Sequence, residues 1–260
     1  MSYGRNRRFF MKKEYTYEVN GFETIVYYED TTVEQIFLPL LRKWSRMCQE
    51  LGRRVIVFLA APPGTGKSTV AEFMKYLSET ETGLEKLQAV GLDGFHYHQD
   101  YILTHDACVE GKIVPMKEVK GCPESYDIEK LRTKLSELKE GDAKFPVYDR
   151  NIHDVVEDAV AVTEQIVLIE GNWLLLDEEP WNQLIEYCDD SIFIGADETL
   201  LKDRLIQRKM RGGLAAEAAE AYYERVDRKN VRRLMAFHHT AGTNLVMQPD
   251  GNYMFVPENE

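Results

Sequence analysis

Polar and apolar residues alternate in two runs near the start of the chain, from Tyr15 to Val19 and from Phe22 to Tyr28. A period of two is typical of strands that bury one face. Asn20-Gly21 separates the runs, and this pair favours the two-residue turn of a β-hairpin. The pattern therefore predicts an N-terminal β-hairpin.

A helical spacing follows the two alternating runs. Apolar residues recur every three or four positions from Val33 to Leu51, which predicts an amphipathic helix. Pro39 lies within this run, so the helix should bend or start late, because proline removes a backbone donor. Gly52 should end it. A second helix is predicted between Asp127, as the N-cap, and Gly141.

Short apolar runs separated by helical stretches predict the strands of a buried sheet. These runs are Val55 to Ala60, Leu87 to Leu92, Ile166 to Glu170, Ser191 to Gly195 and Asn244 to Met247. Strands that alternate with helices favour a mostly parallel sheet covered on both faces. The last segment, from Leu245 to Phe255, turns at Pro249-Asp250-Gly251 and predicts a closing hairpin.

Composition narrows the classes of partner. The 260 residues carry a formal net charge of −12, which disfavours general binding to nucleic acid or to an anionic membrane. Apolar runs stay well short of the roughly 20 residues that cross a bilayer. We therefore expect a cytoplasmic protein with a small-molecule partner and with neither nucleic acid nor membrane as partner. A homodimer remains open.

The segment after the first core strand carries the most specific chemical signal. Ala61 to Thr69 reads Ala-Pro-Pro-Gly-Thr-Gly-Lys-Ser-Thr, which fits a phosphate-binding loop except that Ala61 stands at the first glycine position. Lys67 would reach the β- and γ-phosphates of ATP, and the Ser68 hydroxyl would bind Mg²⁺. The predicted nucleotide-binding residues are Pro63, Gly64, Thr65, Gly66, Lys67, Ser68 and Thr69. The alternative is a glycine-rich turn that merely precedes Lys-Ser-Thr.

Two acidic residues follow core strands, where ligands bind in open α/β sheets. Asp93 comes after the second strand and could accept the proton of an attacking hydroxyl group. Its alternative is a turn residue, since Asp-Gly favours turns. Glu170 ends the third strand, where it would hold Mg²⁺ together with Ser68. Its alternative is a surface glutamate at a strand end.

Arg204 and Arg208 lie four residues apart on one face of a predicted helix. They could close over the nucleotide and stabilise charge on the transferred phosphoryl group. A solvated basic face is the alternative. We place a helical lid around residues 201–215.

These elements together predict a three-layer α/β fold of the P-loop NTPase class. It would have a mostly parallel five-stranded sheet, an N-terminal β-hairpin plus helix, and the helical lid. Residues 1–52 would pack on a kinase domain spanning residues 53–260.

Three further motifs give the chain a family resemblance. Asp93-Gly94-Phe95 follows the second strand, Lys120 to Asp127 reads Lys-Gly-Cys-Pro-Glu-Ser-Tyr-Asp, and Phe145 to Asp154 contains Pro-Val-Tyr. In this order they resemble the phosphoribulokinase, uridine kinase and type I pantothenate kinase group of P-loop kinases. The resemblance implies ATP and Mg²⁺ as cofactors, with Asp93 as the base. It further implies acceptor contacts by Phe95, His96, Tyr148, Arg150 and His153.

The sequence departs from both named enzymes. Uridine kinases carry arginine two residues after the acceptor histidine, where this chain has Val155, and pantothenate kinases carry histidine where Arg150 stands. The loop and Asp-Gly-Phe-His more closely resemble bacterial proteins known as nucleoside/nucleotide kinase-like or fructose-transport-system kinase. We therefore expect ATP-dependent transfer to a sugar or nucleoside-like hydroxyl. Two alternatives remain: a pantothenate kinase-like activity, or a non-catalytic nucleotide-dependent switch or assembly protein.

Overall fold

The computed structural model describes residues 12–19 and 22–256. Strands β1 (Lys12–Val19) and β2 (Phe22–Glu29) pair antiparallel. The hairpin predicted from the alternating pattern is therefore present, while its Asn20-Gly21 turn lies outside the described residues.

The helix after the hairpin does not start late at Pro39, because helical backbone begins at Asp30 and continues to Leu51. A short helix α1 (Asp30–Thr32) leads through a π-helical segment, Val33–Phe37, into α2 (Leu38–Leu51). Pro39 is the second residue of α2, directly after the π-helical segment. Gly52 follows α2 in the left-handed conformation and donates its N–H to Cys48 O, which ends the helix.

The remaining described strands and helices alternate along most of the chain. The strands are β3 (Val55–Ala60), β4 (Leu87–Gly91), β5 (Asp106–Val109), β6 (Lys112–Pro115), β7 (Ala143–Asp149), β8 (Asp154–Val162), β9 (Ile166–Gly171), β10 (Asp190–Gly195), β11 (Thr243–Met247) and β12 (Tyr253–Phe255). The helices are α3 (Lys67–Thr80), α4 (Gln99–Thr104), α5 (Ile128–Glu140), α6 (Glu198–Arg211), α7 (Ala216–Tyr222) and α8 (Arg228–Ala236).

The central sheet has the strand order β12-β11-β10-β3-β9-β4. The strands from β11 to β4 run parallel, and they are the five predicted from the apolar runs. β12 pairs antiparallel with β11, so the predicted closing hairpin adds a sixth strand at the edge. In this order β9 lies between β3 and β4. Sequence periodicity does not predict the order of strands in a sheet.

Two apolar layers enclose the sheet. Every residue of β3 is buried, with Val57 and its alternate neighbours in one layer and Phe58 and its alternate neighbours in the other. The first layer contains α2, α3 and the N-terminal hairpin. The second contains α5 and the apolar segment that follows β9. Burial on both sides explains why β3 reads as a continuous apolar run rather than an alternating one.

The hairpin packs on α3 through a cluster of aromatic rings. Phe73 of α3 lies 4.8 Å from Tyr15, 5.5 Å from Tyr17 and 4.6 Å from Tyr28, measured between ring centroids. Tilted and edge contacts at these distances suit aromatic pairs. The inward face of the hairpin is thus fixed on the helix that follows the phosphate-binding loop.

A second hairpin, β7–β8, crosses the turn after β4. A Cβ atom on Gly94 would lie 2.2 Å from Pro146 O, so only glycine permits this approach. The Asp93-Gly94-Phe95 turn and the β7–β8 hairpin are thereby held together. Among the described residues, no helix combines the length and the apolar character needed to cross a membrane.

Candidate active site

The phosphate-binding loop connects β3 to the first turn of α3. Gly64 and Gly66 take φ values of 92° and 83°, a left-handed conformation that other residues adopt only with strain. Gly66 is the N-cap of α3, so the positive end of the helix dipole and its free N–H groups face the space over the loop. This is the backbone geometry of an anion site.

A cavity of about 430 Å³ opens over the loop. Five of the seven predicted nucleotide-binding residues line it: Gly64, Gly66, Lys67, Ser68 and Thr69. Pro63 is absent from the lining, and Thr65 is fully buried. The Thr65 hydroxyl donates to Pro62 O at 2.9 Å, and the Thr65 carbonyl accepts from Tyr253 Oη at 2.9 Å. Thr65 therefore holds the shape of the loop from its protein side.

The cavity is strongly basic although the chain as a whole is acidic. Besides Lys67, its charged lining residues are Arg150, Arg204, Arg208 and Arg211. Arg204 Nε donates to Gly64 O at 2.6 Å, so this arginine is tied to the loop itself. A concentration of positive charge at a helix N-terminus suits a polyphosphate.

Gln207 and Arg211 also line the cavity; the sequence shows Arg211 in the basic cluster next to Arg208, whereas Gln207 was not selected. They share a face of α6 with Arg204 and Arg208, because these positions are separated by three or four residues. Extending that helical spacing by one turn would have found both. The predicted lid, residues 201–215, therefore consists of the larger part of α6 and the turn before α7.

Ser68 and Glu170 meet beside Lys67. Ser68 Oγ donates a hydrogen bond of 2.6 Å to Glu170 Oε1, and Lys67 Nζ lies 3.8 Å from Glu170 Oε2. Burial raises the pKa of the Glu170 carboxyl, and the nearby Lys67 opposes that effect only in part. A hydroxyl and a poorly solvated carboxylate next to a phosphate site are the oxygen ligands that Mg²⁺ prefers. The residues present thus fit the cation that the sequence predicts.

Asp93 lies in the turn Leu92–Phe95, directly after β4. Gly91 pairs with Glu170 in the parallel ladder of β4 and β9, so the two acids occupy the ends of neighbouring strands. Asp93 is exposed to solvent, and Tyr126 Oη donates to its Oδ1 at 3.4 Å.

The charge state of Asp93 is set by opposing effects. The surrounding protein, by partly removing the carboxyl from water, would alone raise its pKa. Electrostatic interactions with four neighbouring groups outweigh this effect, and the pKa lies below the ordinary value of 3.8. These groups are His96, Lys67, Arg150 and Arg208. Asp93 is therefore a stable carboxylate under the influence of the cationic residues that line the cavity.

The buried ring of His96 lies next to Asp93 on the side away from the loop. Its centroid is 3.8 Å from that of Tyr126 and 5.9 Å from that of Tyr148. Burial lowers the pKa of His96 to about 4, with Lys120 contributing and Asp93 opposing. Its Nδ1 atom is buried and has no hydrogen-bond partner among the described residues. A neutral imidazole with an unused nitrogen is suited to hydrogen bonding with a ligand.

Lys120 completes this group and was not selected from the sequence. Lys120 Nζ donates to Gln99 Oε1 at 2.8 Å and to Tyr148 Oη at 3.0 Å. It also lies 4.8 Å from the centre of the Tyr148 ring. The only available signal was its position at the start of the Lys120–Asp127 motif.

Comparison with known proteins decides the family. The Phosphoribulokinase / Uridine kinase family matches residues 56–231. The chain belongs to this family. The match starts within β3, at the strand that leads into the phosphate-binding loop.

Individual relatives agree with the assignment. The chain is 41% identical over 247 residues to the protein YggC of Escherichia coli, covering 94% of this chain and 99% of that one. It is 32% identical over 205 residues to a pantothenate kinase of Haemophilus ducreyi, covering 69% of this chain and 62% of the enzyme. A solved structure from Silicibacter, described as a candidate fructose transport system kinase, is similar with a TM-score of 0.65 and 26% identity. It covers 77% of this chain and 98% of that one.

The chain thus has the P-loop kinase fold that its motifs predicted. The structure places three of the predicted acceptor residues in different surroundings. Phe95 is fully buried and packs edge-on against Phe145 at 5.4 Å, so its side chain belongs to the core and is closed to an acceptor. Arg150 lines the phosphate cavity. His153 is exposed at the turn between β7 and β8, with φ of 57°, and is not part of the cavity lining.

The Lys120–Asp127 motif has a largely structural role in this family member. Ser125 Oγ accepts from Gly121 N at 2.9 Å, and Asp127 caps α5 by accepting from Lys130 N at 3.0 Å. Glu124 pairs with Arg233 at 2.8 Å. These contacts fix the backbone around Tyr126, which in turn reaches Asp93. The motif therefore supports the acidic site and does not by itself select an acceptor.

Proposed function

We propose that this kinase-family protein transfers the γ-phosphoryl group of ATP to a hydroxyl group of a small sugar or nucleoside-like acceptor. The observation that carries the proposal is the arrangement of two acids at the ends of neighbouring strands. Glu170 is paired with Ser68 and Lys67, whereas Asp93 faces the group formed by His96 and Tyr126. One carboxylate is thus engaged with the phosphate loop and the other is free for the acceptor.

The phosphates of ATP would bind to the loop amides and to Lys67. Ser68 and Glu170 would hold Mg²⁺, which supplies charge neutralisation on the phosphate oxygens when bound. Arg208 has an exposed side chain in the cavity lining, and it would stabilise the negative charge on the transferred group. Arg204, which is bound to Gly64 O, would keep the loop in shape.

Asp93 would orient the acceptor hydroxyl and accept its proton. The acceptor oxygen forms a bond to the γ-phosphorus, the bond between that phosphorus and the β–γ bridging oxygen breaks, and ADP leaves. Since its pKa is lowered, Asp93 is a weak base, and it would take the proton late, after the phosphoryl group has largely left ADP. Positioning of the hydroxyl would then be its larger contribution.

The surroundings of Asp93 support a polar, hydroxylated acceptor. Tyr126 contacts Asp93 directly, and a chain of ring contacts and hydrogen bonds continues from it through His96, Tyr148 and Lys120 to Gln99. When a substrate lacks the matching hydroxyls, these protein groups are left without hydrogen-bond partners. The resulting cost in free energy discriminates against that substrate. The name of the Silicibacter relative is compatible with a sugar, while the resemblance of Lys120–Asp127 to a segment of type I pantothenate kinases supports the pantothenate alternative.

A thermal-shift screen followed by a transfer assay tests the proposal. Nucleosides, ketoses, aldoses and pantothenate are screened with a non-hydrolysable ATP analogue, and compounds that raise the melting temperature are then assayed with ATP. We expect phosphorylation of a sugar or nucleoside that is lost in Asp93→Asn. Phosphorylation of pantothenate alone would show that the acceptor is pantothenate and not a sugar or nucleoside. Nucleotide binding without transfer to any acceptor in an enlarged panel would favour the switch alternative.

A further inference from the structure

The N-terminal hairpin lies outside the part of the chain that matches the family, which starts at residue 56. Its strand β1 nevertheless reaches the phosphate cavity, because Val19 at the end of β1 is one of the lining residues. We propose that this hairpin forms a wall of the nucleotide site, where Val19 packs against the base or ribose of the bound nucleotide. The inference rests on the proposed function, since it concerns the same nucleotide.

The chemistry of the lining indicates which part of the nucleotide Val19 would meet. The lining residues are otherwise glycines or carry charged or polar side chains, and within the described chain Val19 supplies the apolar side chain. Cationic and amide groups suit the phosphates, whereas an apolar side chain gains by covering a ring face that water solvates poorly. Thr69, which follows Lys67 and Ser68 on α3, lines the same cavity as Val19.

The hairpin is held against this part of α3. Tyr17, two residues before Val19 and on the same face of β1, donates from its hydroxyl to Thr69 O at 3.0 Å. The Tyr17 ring packs against Phe73 and stacks on Tyr76 at 5.9 Å. A side chain placed by a fixed strand binds without a large ordering cost, which favours a preformed wall.

The other end of the hairpin is fixed to the C-terminal strand. Glu29 N donates to Asn252 Oδ1 at 2.8 Å, and Lys12 pairs with Asp250 at 3.1 Å. Next to Asn252, Tyr253 donates its hydroxyl to Thr65 O at 2.9 Å within the loop. The hairpin and β12 therefore contact the loop region from adjoining positions, and the position of Val19 depends on both.

The test compares two ligands that share phosphates and differ in the nucleoside. Affinities for a non-hydrolysable ATP analogue and for inorganic tripolyphosphate are measured by calorimetry in the full-length protein. Val19→Ala should weaken the ATP analogue about three- to tenfold, the scale of a lost apolar contact in a pocket, and leave tripolyphosphate unchanged. Tyr17→Phe, which keeps the ring and removes the hydroxyl, should weaken the analogue in the same direction.

Ile25 provides the matched control. It lies on β2 and is 54% exposed on the outward side of the hairpin, so Ile25→Ala should leave both affinities unchanged. An unchanged analogue affinity in Val19→Ala, or an equal loss for both ligands, would overturn the proposed wall while leaving the kinase proposal intact. If the unaltered protein binds neither ligand, the kinase proposal itself is wrong and this inference falls with it.

Discussion

Ser68 Oγ donates a 2.6 Å hydrogen bond to Glu170 Oε1 across a separation of 102 residues in the chain. The bond joins the first turn of α3 to the end of β9, and it exists because β9 lies directly beside β3 in the sheet. The two oxygen ligands expected of a magnesium site are therefore already adjacent. Such pre-organisation lowers the cost of binding, since neither side chain must be brought in from solvent.

Lys67→Ala should abolish ATP-dependent phosphorylation and leave the fold intact. The Lys67 side chain lines the cavity and approaches Glu170 at 3.8 Å rather than packing into the core, so its loss removes phosphate binding without creating a core void. Turnover and the circular dichroism melting curve are measured together. Retained turnover would show that the loop does not bind the reacting phosphates.

Glu170→Gln should stabilise the ligand-free protein near neutral pH while it weakens magnesium-dependent nucleotide binding. Burial raises the pKa of Glu170 in the folded protein above 4.5. Ionised Glu170 therefore opposes folding once the pH exceeds the pKa that this residue has in the unfolded chain. The stabilisation should therefore be present at pH 7 and vanish as the pH falls below about 4, where both states are protonated. Melting temperatures at the two pH values check this.

The matched control for that comparison is Glu186→Gln, because Glu186 is exposed to solvent. It should shift the melting temperature little at either pH. A stabilisation of Glu170→Gln that persists unchanged at low pH would contradict the electrostatic explanation.

Asp93→Asn should lower kcat by about 10² or more and keep nucleotide affinity within a few-fold. Asp93 is expected to act on the acceptor, and its lowered pKa keeps it ionised from pH 5 to 8. The loss in kcat should accordingly be similar throughout that range. If nucleotide binding and turnover fall in parallel, Asp93 belongs to the magnesium site and another group must orient the hydroxyl.

Lys120→Met should raise the acceptor KM at least about tenfold while the KM for ATP barely moves. The lysine supports both Gln99 and Tyr148, and methionine keeps its length while removing the donors that those groups require. Steady-state kinetics with each substrate varied in turn separate the two constants. Lys144→Met, at an exposed position of β7, serves as the control and should change neither constant.

Arg150→Ala and His153→Ala should now behave differently from each other. Arg150 lines the phosphate cavity, so its loss should raise the KM for ATP or lower kcat by about tenfold, on the scale of a lost charged contact. His153 is exposed outside that lining, and its replacement should affect only the acceptor KM. If both changes raise the acceptor KM equally and leave the KM for ATP unchanged, Arg150 contacts the acceptor rather than the phosphates.

Local sequence patterns were sufficient for several elements. The apolar run of β3, the alternating run of β2 and the capped helix after Asp127 were predicted within a residue of their observed bounds, and β1 begins three residues earlier than predicted. The phosphate-binding loop with Lys67 and Ser68 was also predicted from its local pattern. Each of these features depends on backbone geometry within a few neighbouring residues, so its period or spacing can be recognised in the sequence.

The tertiary structure decided which of these elements meet. The sequence singled out Asp93 and Glu170, but only the order of β4, β9 and β3 makes them neighbours. The same holds for Val19, which reaches the cavity because Tyr17 packs the hairpin on Phe73, and for Phe95, whose side chain is buried in the core. Contacts between distant segments depend on how whole surfaces fit together, and that information is spread over many residues rather than carried by any one motif.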